Sequence, residues 1–279
     1  MIPNEVVHYT TKETALEHIL FEKRIRFGLL GMTNDPRETK SWFFSIEIDG
    51  ITMLYPPGYE YTNSRDPRAT IIKIANEVMK TEWKVFCVTK HFPSRKRQVG
   101  PDIIIEDNVF RDGFCQPRLW ADYGGRHSGV CLIFDGRKLD QNIQKTLSSK
   151  KCRIFQGSVK YNDRFAISAW GINNVETGKY DAKSLVREYF FQHYESCFLT
   201  KTSNWKSENE YRWLIHSPTK KPEYVSIEGA IKGVIVGADF PRVYEGTLKA
   251  LCKELNIPAG RIQWVNGKPQ VELESIYSL

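Results

Sequence analysis

The sequence predicts a mixed α+β fold, with helices inserted between the strands of a single domain. Three observations lead there. Apolar runs rich in β-branched and aromatic residues, such as "WKVFCVTK" (83–90), "GVCLIFD" (129–135) and "IKGVIVGA" (231–238), read as buried strands. Helical periodicity occurs between strands, but not in the regular alternation of a doubly wound sheet. No linker or internal repeat divides the 279 residues, so one domain over 1–279 is expected.

The first strand is "EVVHY" (5–9). "TTKE" (10–13) reads as a capping box, with Thr10 as cap and Glu13 reaching back. Ala15, Leu16, Ile19 and Leu20 then follow at helical spacing, which carries a helix to about residue 23. "RIRFGLL" (24–30) is a second strand, and "GMTNDPRE" (31–38) is a loop, because Asn-Asp-Pro does not continue a regular element. "ITMLYPPGYEYTNSRD" (51–66) has the Pro, Gly and polar content of an insertion loop. A helix over 67–81 precedes the strand 83–90, and 98–117 reads as irregular. "RLWADYGGRHSGVCLIFD" (118–135) is a short helix, a glycine turn and a strong strand. "GSVKYN" (157–162) is a further strand. An amphipathic helix over 181–200 places Leu185, Val186, Tyr189, Tyr194 and Phe198 near one stripe. Strands at 209–216 and 231–238, a helix at 242–255, and "IQWV" (262–265) and "VELE" (271–274) complete the order.

The formal net charge of +7 favours polyanionic partners, nucleic acid or phosphate groups. The charge is dense in "KHFPSRKR" (90–97) and "KTLSSKKCR" (145–153), the expected nucleic-acid-facing loops. The six cysteines form no CxxC, and most lie in apolar runs, so reduced buried thiols are expected and a zinc site is not. No stretch approaches the roughly 18 apolar residues of a membrane span. The first twenty residues lack a basic segment followed by an apolar one, so a cytoplasmic protein without a signal peptide is expected. There is no glycine-rich dinucleotide fingerprint and no phosphate-binding P-loop.

The segment "NWKSENEYRWLIHS" (204–217) holds the strongest polar pattern. Strand side chains alternate between faces, so Glu208, Glu210, Arg212, Leu214 and His216 share one and Asn209, Tyr211, Trp213 and Ile215 the other. The Tyr/Trp/Ile face is the expected core, and the Glu/Glu/Arg face is expected to look into water or a polar cleft. Two residues of strand rise put the carboxylates about 7 Å apart, close enough to work on one ligand. The first strand ends in His8, Tyr9 and Thr10 before a helix start, where free N–H groups suit an anion. A solvated strand and a hydrogen-bonded structural histidine are the plainer readings of the two segments.

"HYT", "MTNDPRE", "LWADYGGRHSGVCLIFD", "WKSENEYRWLI" and "IKGVIVGA" occur in that order. This pattern resembles the bacterial family catalogued as "domain of unknown function 2971", which is similar to abortive-infection proteins of the AbiGi type. Trp120, Tyr123, His127 and Gly129 match its third motif, and Trp205, Glu208, Glu210 and Arg212 its fourth. In the second, Asn34, Asp35, Pro36 and Glu38 match, while Thr33 stands where the family has Phe. A more distant likeness, at the level of fold, is to ADP-ribosyltransferases and to toxins that modify DNA bases.

That likeness implies a split β core and NAD as substrate. Cleavage of the nicotinamide–ribose bond passes through an oxocarbenium-like state that a carboxylate stabilises. The resemblance assigns that role to Glu210, and orientation or deprotonation of the acceptor to Glu208. His8 would hold the ribose or a phosphate, supported by Tyr9 and Thr10. Arg212 would pair with a carboxylate or phosphate. Asn34 and Asp35 would line the cleft, Trp120 or Tyr123 would stack on a ring, and His127 would contact the acceptor. The implied function is ADP-ribosyl transfer or NAD hydrolysis in phage defence or as a toxin, with a protein partner or antitoxin. Two alternatives stay open. One is a non-catalytic sensor of a nucleotide or phage protein. The other is a metal-dependent nucleic-acid-processing enzyme built on Glu208, Glu210 and Asp35.

Overall fold

The computed structural model describes residues 1–53, 66–92, 95–98, 104–107, 112–148, 150, 152–163, 170–175 and 181–272. Strand β1 (Glu5–Thr10) leads into a helical turn at Thr14–Leu20 and then β2 (Arg24–Leu29). Helix α1 (Pro36–Thr39) precedes the hairpin of β3 (Phe44–Ile48) and β4 (Ile51–Met53). Helix α2 (Pro67–Thr81) feeds β5 (Trp83–Lys90), then the hairpin of β6 (Arg95–Gln98) and β7 (Ile104–Asp107). Next come α3 (Pro117–Asp122), β8 (Val130–Asp135), α4 (Gly136–Leu147), β9 (Arg153–Ser158), β10 (Lys160–Tyr161) and β11 (Trp170–Val175). Helix α5 (Ala182–Phe198), β12 (Thr200–Lys201), a tight helical turn at Ser203–Glu208 and β13 (Glu210–His216) follow. Last are β14 (Glu223–Ser226), β15 (Ile231–Val236), α6 (Glu245–Leu255), β16 (Ala259–Val265) and β17 (Lys268–Glu272).

Ten of these strands form one mixed sheet, in the order β14-β2-β5-β1-β8-β15-β16-β17, with β13 on β5 and β9 on β13. Most neighbours are antiparallel; β15 and β16 run parallel. The sheet divides at β5. One edge of β5 pairs with β13 along its length, from Glu210↔Thr89 to His216↔Trp83. The other edge is shared: β1 takes Lys90 and Thr89, and β2 takes Val85 and Lys84. Residues 86–88 therefore face a gap between two departing strands.

Both faces of the sheet are covered. On one, Phe86, Val88, Tyr211, Trp213, Leu132 and Val234 pack against the Thr14–Leu20 turn, α4 and α6. On the other, Trp83, Val85 and Leu214 pack against α2, α5 and β3. Further along, Val7, Tyr9, Cys131 and Ile235 meet Leu119 and Trp120 of α3. The expected α+β class holds.

Several local expectations need correction. The helix cap is Thr11, whose Oγ1 accepts from the Thr14 amide at 3.3 Å, while Thr10 stays in β1. The following turn is wide, with Phe21 N–H reaching the Leu16 carbonyl. The Asn-Asp-Pro stretch starts α1, because Asp35 caps it by accepting from Arg37 N–H at 2.9 Å. "GSVKYN" divides into the end of β9 and the short β10. Helix α4 and strands β3, β4, β6, β7, β11, β12 and β14 have no counterpart in the sequence reading: β4 takes the first three residues of the expected insertion loop, β6 the end of the basic segment 90–97, and β7 part of the stretch 98–117 read as irregular. Of the insertion loop, residues 54–65 lie outside the described residues, as do 93–94, 149 and 151 of the basic segments. Six cysteines are free thiols, four of them buried. Among the described residues no helix is long and apolar enough to cross a membrane.

Backbone contact closes one end of the sheet. Arg126 and His127 adopt left-handed conformations, with φ of 53° and 66°. The His127 carbonyl accepts from Asp239 N–H, and Gly237 N–H donates to the Gly129 carbonyl, both at 3.0 Å. A Cβ on Gly237 would overlap the His127 carbonyl, so Gly237→Ala is expected to cost about 1–3 kcal/mol in urea unfolding. Gly246 in α6 has open space where a Cβ would stand, so Gly246→Ala is expected to gain up to about 1 kcal/mol in the same measurement.

Candidate functional site

Strand β13 is buried on both faces. Arg212 is 1 % exposed and Glu210 4 %, so the expectation of a wet Glu/Glu/Arg face is overturned. Helices α1 and α5 cover that face, and the charges neutralise one another beneath them. Arg212 Nε donates to Glu210 Oε1 at 2.7 Å and Nη2 to Oε2 at 3.2 Å. Its Nη1 donates to Glu38 Oε1 and, at 2.9 Å, to the Phe198 carbonyl. The guanidinium fork thus joins β13 to α1 and to the end of α5.

Glu208 is not part of the strand. It ends the Ser203–Glu208 turn, and Asn209 reverses the chain in a left-handed conformation, φ 44°. Both carboxylates nevertheless meet at one cation. Lys201 Nζ lies 2.8 Å from Glu208 Oε2 and 2.9 Å from Glu210 Oε2, with its own side chain 4 % exposed. Glu208 Oε1 accepts from Tyr123 Oη at 2.6 Å, and Tyr123 Oη accepts from Asn34 Nδ2 at 2.8 Å. Asn34 is exposed and Tyr123 half-buried. A continuous polar path therefore runs from the surface at Asn34, through Tyr123, Glu208, Lys201 and Glu210, to Arg212 and Glu38.

Electrostatics separates the two carboxylates. Burial opposes charge on Glu210, but Arg212 and Lys201 outweigh it and hold its carboxyl down at about 2. Burial dominates at Glu208 and raises its carboxyl above the ordinary range, against the pull of Lys201. Burial also raises the Lys201 ammonium's opposition to charge, yet Glu210 and Glu208 keep it protonated. The Cys87 thiol, cross-strand from Arg212, hydrogen-bonds Glu210; burial pushes its pKa far up, so it is a poor nucleophile.

The other sequence-derived candidates divide by sheet face. Thr89, paired with both Val7 and Glu210, puts those three on one face. His8 is one residue further and turns to the opposite face, where its ring meets Phe86 at 4.8 Å. Its Nδ1 donates to the Cys87 carbonyl at 2.9 Å, which satisfies β5 where β1 leaves it. Burial lowers its pKa, so the ring is held neutral. Tyr9 donates to the Gly113 carbonyl at 2.6 Å and meets Trp120 edge-on at 5.0 Å, in a small core. Thr10 is buried at the end of β1. Asp35 is taken up in capping α1. His127 faces Trp264 at 6.2 Å. The structure thus joins Asn34, Tyr123, Glu208, Glu210 and Arg212, and leaves His8, Tyr9, Thr10, Asp35, Trp120 and His127 in other settings.

Lys201, Cys87 and Tyr161, whose Oη accepts from Glu210 N–H at 2.9 Å, were not read from the sequence. No local spacing marks them. Glu38 stood in the "NDPRE" pattern without a role. Beside the sheet split His8 and Cys87 are only half-buried despite their central strands, and among the described residues no atom beyond its chain neighbours lies within 4 Å of where a Gly28 Cβ would stand. Gly28 pairs with Val85, so it shares a face with Cys87 and Arg212.

Residues 119–213 match the family model described as "Protein of unknown function (DUF2971)". The match spans the "LWADYGGRHSGVCLIFD" and "WKSENEYRW" motifs; "HYT", "MTNDPRE" and "IKGVIVGA" lie outside it. The match includes Tyr123, Lys201, Glu208, Glu210 and Arg212 of the buried path. Comparisons with curated proteins and with solved structures found no match.

Two outcomes are expected. Arg212→Met strands Glu210 and Glu38 without their shared cation, and is expected to cost about 3–5 kcal/mol in urea unfolding. Glu82 is held at about 2, because Arg187, Lys183 and His216 outweigh the opposing effect of burial. The stabilisation from Glu82 and Glu210 is therefore full above the ordinary glutamate range and is lost as pH falls toward about 2. Unfolding free energy measured against pH is expected to fall through that acid window, and to fall less in Glu82→Gln.

Proposed function

We propose that the chain cleaves the nicotinamide–ribose bond of NAD and passes ADP-ribose to an acceptor or to water, with Glu208 as the working carboxylate. The supporting observation is the polar path from exposed Asn34 to buried Arg212, in which Glu208 is the carboxylate nearest the surface. Both carboxylates are paired, but Glu210 is held by two cations, Arg212 and Lys201, and Glu208 by one cation and the neutral Tyr123 hydroxyl, which makes Glu210 the holding group of the site. The acceptor hydroxyl attacks C1′ as the C1′–N bond to nicotinamide breaks, and Glu208 takes the acceptor proton. Burial makes Glu208 a stronger base than an exposed carboxylate, and its charge opposes the developing positive charge of the ribose. Asn34 and Tyr123 orient it from the outer side. The net charge of +7 suits a polyanionic acceptor, nucleic acid among them.

A second reading, a non-catalytic nucleotide or phage-protein sensor, is favoured by the complete pairing of Glu210. The metal-dependent alternative has less support: Lys201 Nζ fills the position between Glu208 and Glu210, and Asp35 caps α1. Placement in phage defence, with an antitoxin or other partner and in the cytoplasm, belongs to the same proposal and rests on the family resemblance.

The purified protein, incubated with NAD with and without DNA, RNA or cell extract, is expected to release nicotinamide. Glu208→Gln, which keeps the shape of the side chain, is expected to lower the rate by at least about 100-fold while the variant still folds, as checked by circular dichroism. No release and no thermal shift with NAD would overturn the proposal. A thermal shift without release would replace it with the sensor.

A further inference from the structure

The buried cluster holds three carboxylates, Glu38, Glu208 and Glu210, against two cations, Lys201 and Arg212. All five are nine-tenths or more buried. The third carboxylate is the unusual member. Glu38 places Oε1 on Arg212, while its Oε2 has no hydrogen-bond partner among the described residues. A buried carboxylate oxygen left without a donor is costly, and an apolar residue there would avoid the cost. Geometry gives Glu38 a second connection to the site. It stands one helical turn from Asn34, so a single short segment, capped by Asp35, grips Arg212 at one end and Tyr123 at the other.

We propose that Glu38 is a positioning residue: through Arg212 it holds Glu210, and the additional negative charge it brings to the cluster decides the charge state of Glu208. The inference rests on the reading of Glu208 as the working carboxylate, and gives that group its means of control. Arg212 divides its charge between Glu210 and Glu38. With Glu38 neutral, Arg212 acts on Glu210 alone and offsets its charge more fully, so Glu210 repels Glu208 less while Lys201 still attracts it, and the ionised form of Glu208 gains. The groups facing Glu208 are Lys201, Glu210, Tyr123 and Tyr161. None of them is substituted in a Glu38 variant.

The test is a carbon-13 NMR titration of the full chain labelled at the glutamate carboxyl carbons. The Glu208 signal is assigned by its absence in Glu208→Gln. In Glu38→Gln, which keeps the shape and removes the charge, the Glu208 midpoint is expected to move down by about one pH unit. An unchanged midpoint in the folded variant overturns the proposal. Glu38→Asp keeps the charge and is expected to keep the wild-type midpoint; a downward shift equal to that of Glu38→Gln also overturns it. If Glu38→Gln fails to fold, Glu38→Asp is read against the wild type: an unchanged midpoint supports the proposal, and a midpoint lowered by about one pH unit with the charge kept overturns it. The titration needs no NAD, so failure of the NAD reading and failure of this one are separately visible. If NAD is cleaved, the acid limb of the rate profile is expected to shift in Glu38→Gln with the NMR midpoint.

Discussion

The Arg212 guanidinium is the interaction on which the rest of the site depends. It is buried at the centre of the sheet, on the face covered by α1 and α5. A cation placed there must be met by carboxylates, because desolvation of an unpaired charge would outweigh the packing around it. Glu210 meets it from the same strand, and Glu38 from a helical turn 174 positions earlier in the chain. Lys201 then joins Glu210 to Glu208, and Tyr123 joins Glu208 to Asn34. Four separate segments are registered by one charge network.

Such a network is not the cheapest way to build a core. An apolar replacement of similar volume is often as stable or more so. One consequence of this network is the setting of Glu208, whose carboxyl burial raises above the ordinary glutamate range. Glu82 offers a contrast within the same protein. It collects Arg187, Lys183 and His216 at the far end of β5, where cations outnumber the carboxylate, and it is held firmly ionised. Similar ingredients in different ratios give an inert anchor at Glu82 and a poised group at Glu208.

The divided edge of β5 is the second constraint. Where β1 departs and β2 has not yet arrived, His8 satisfies the Cys87 carbonyl, and open space remains over Gly28. Gly28 lies on the Arg212 face of the sheet. His8 itself closes the opposite face of the sheet, against Phe86.

The sequence by itself determined the α+β class, the long helices α2 and α5, the buried strands β5, β8, β13 and β15, and the family motif over 119–213. These are local properties: periodicity, apolar runs and turn residues act within a few positions. It also marked Glu208, Glu210, Arg212, Asn34 and Tyr123, because their types and spacing are unusual for exposed segments. It did not determine that the polar face of β13 is buried, since alternation shows that two faces differ and not what covers them. Only the tertiary structure brought Lys201 and Glu38 to Arg212 and turned His8 away from them, because ion pairing and strand register act between segments that are distant in sequence.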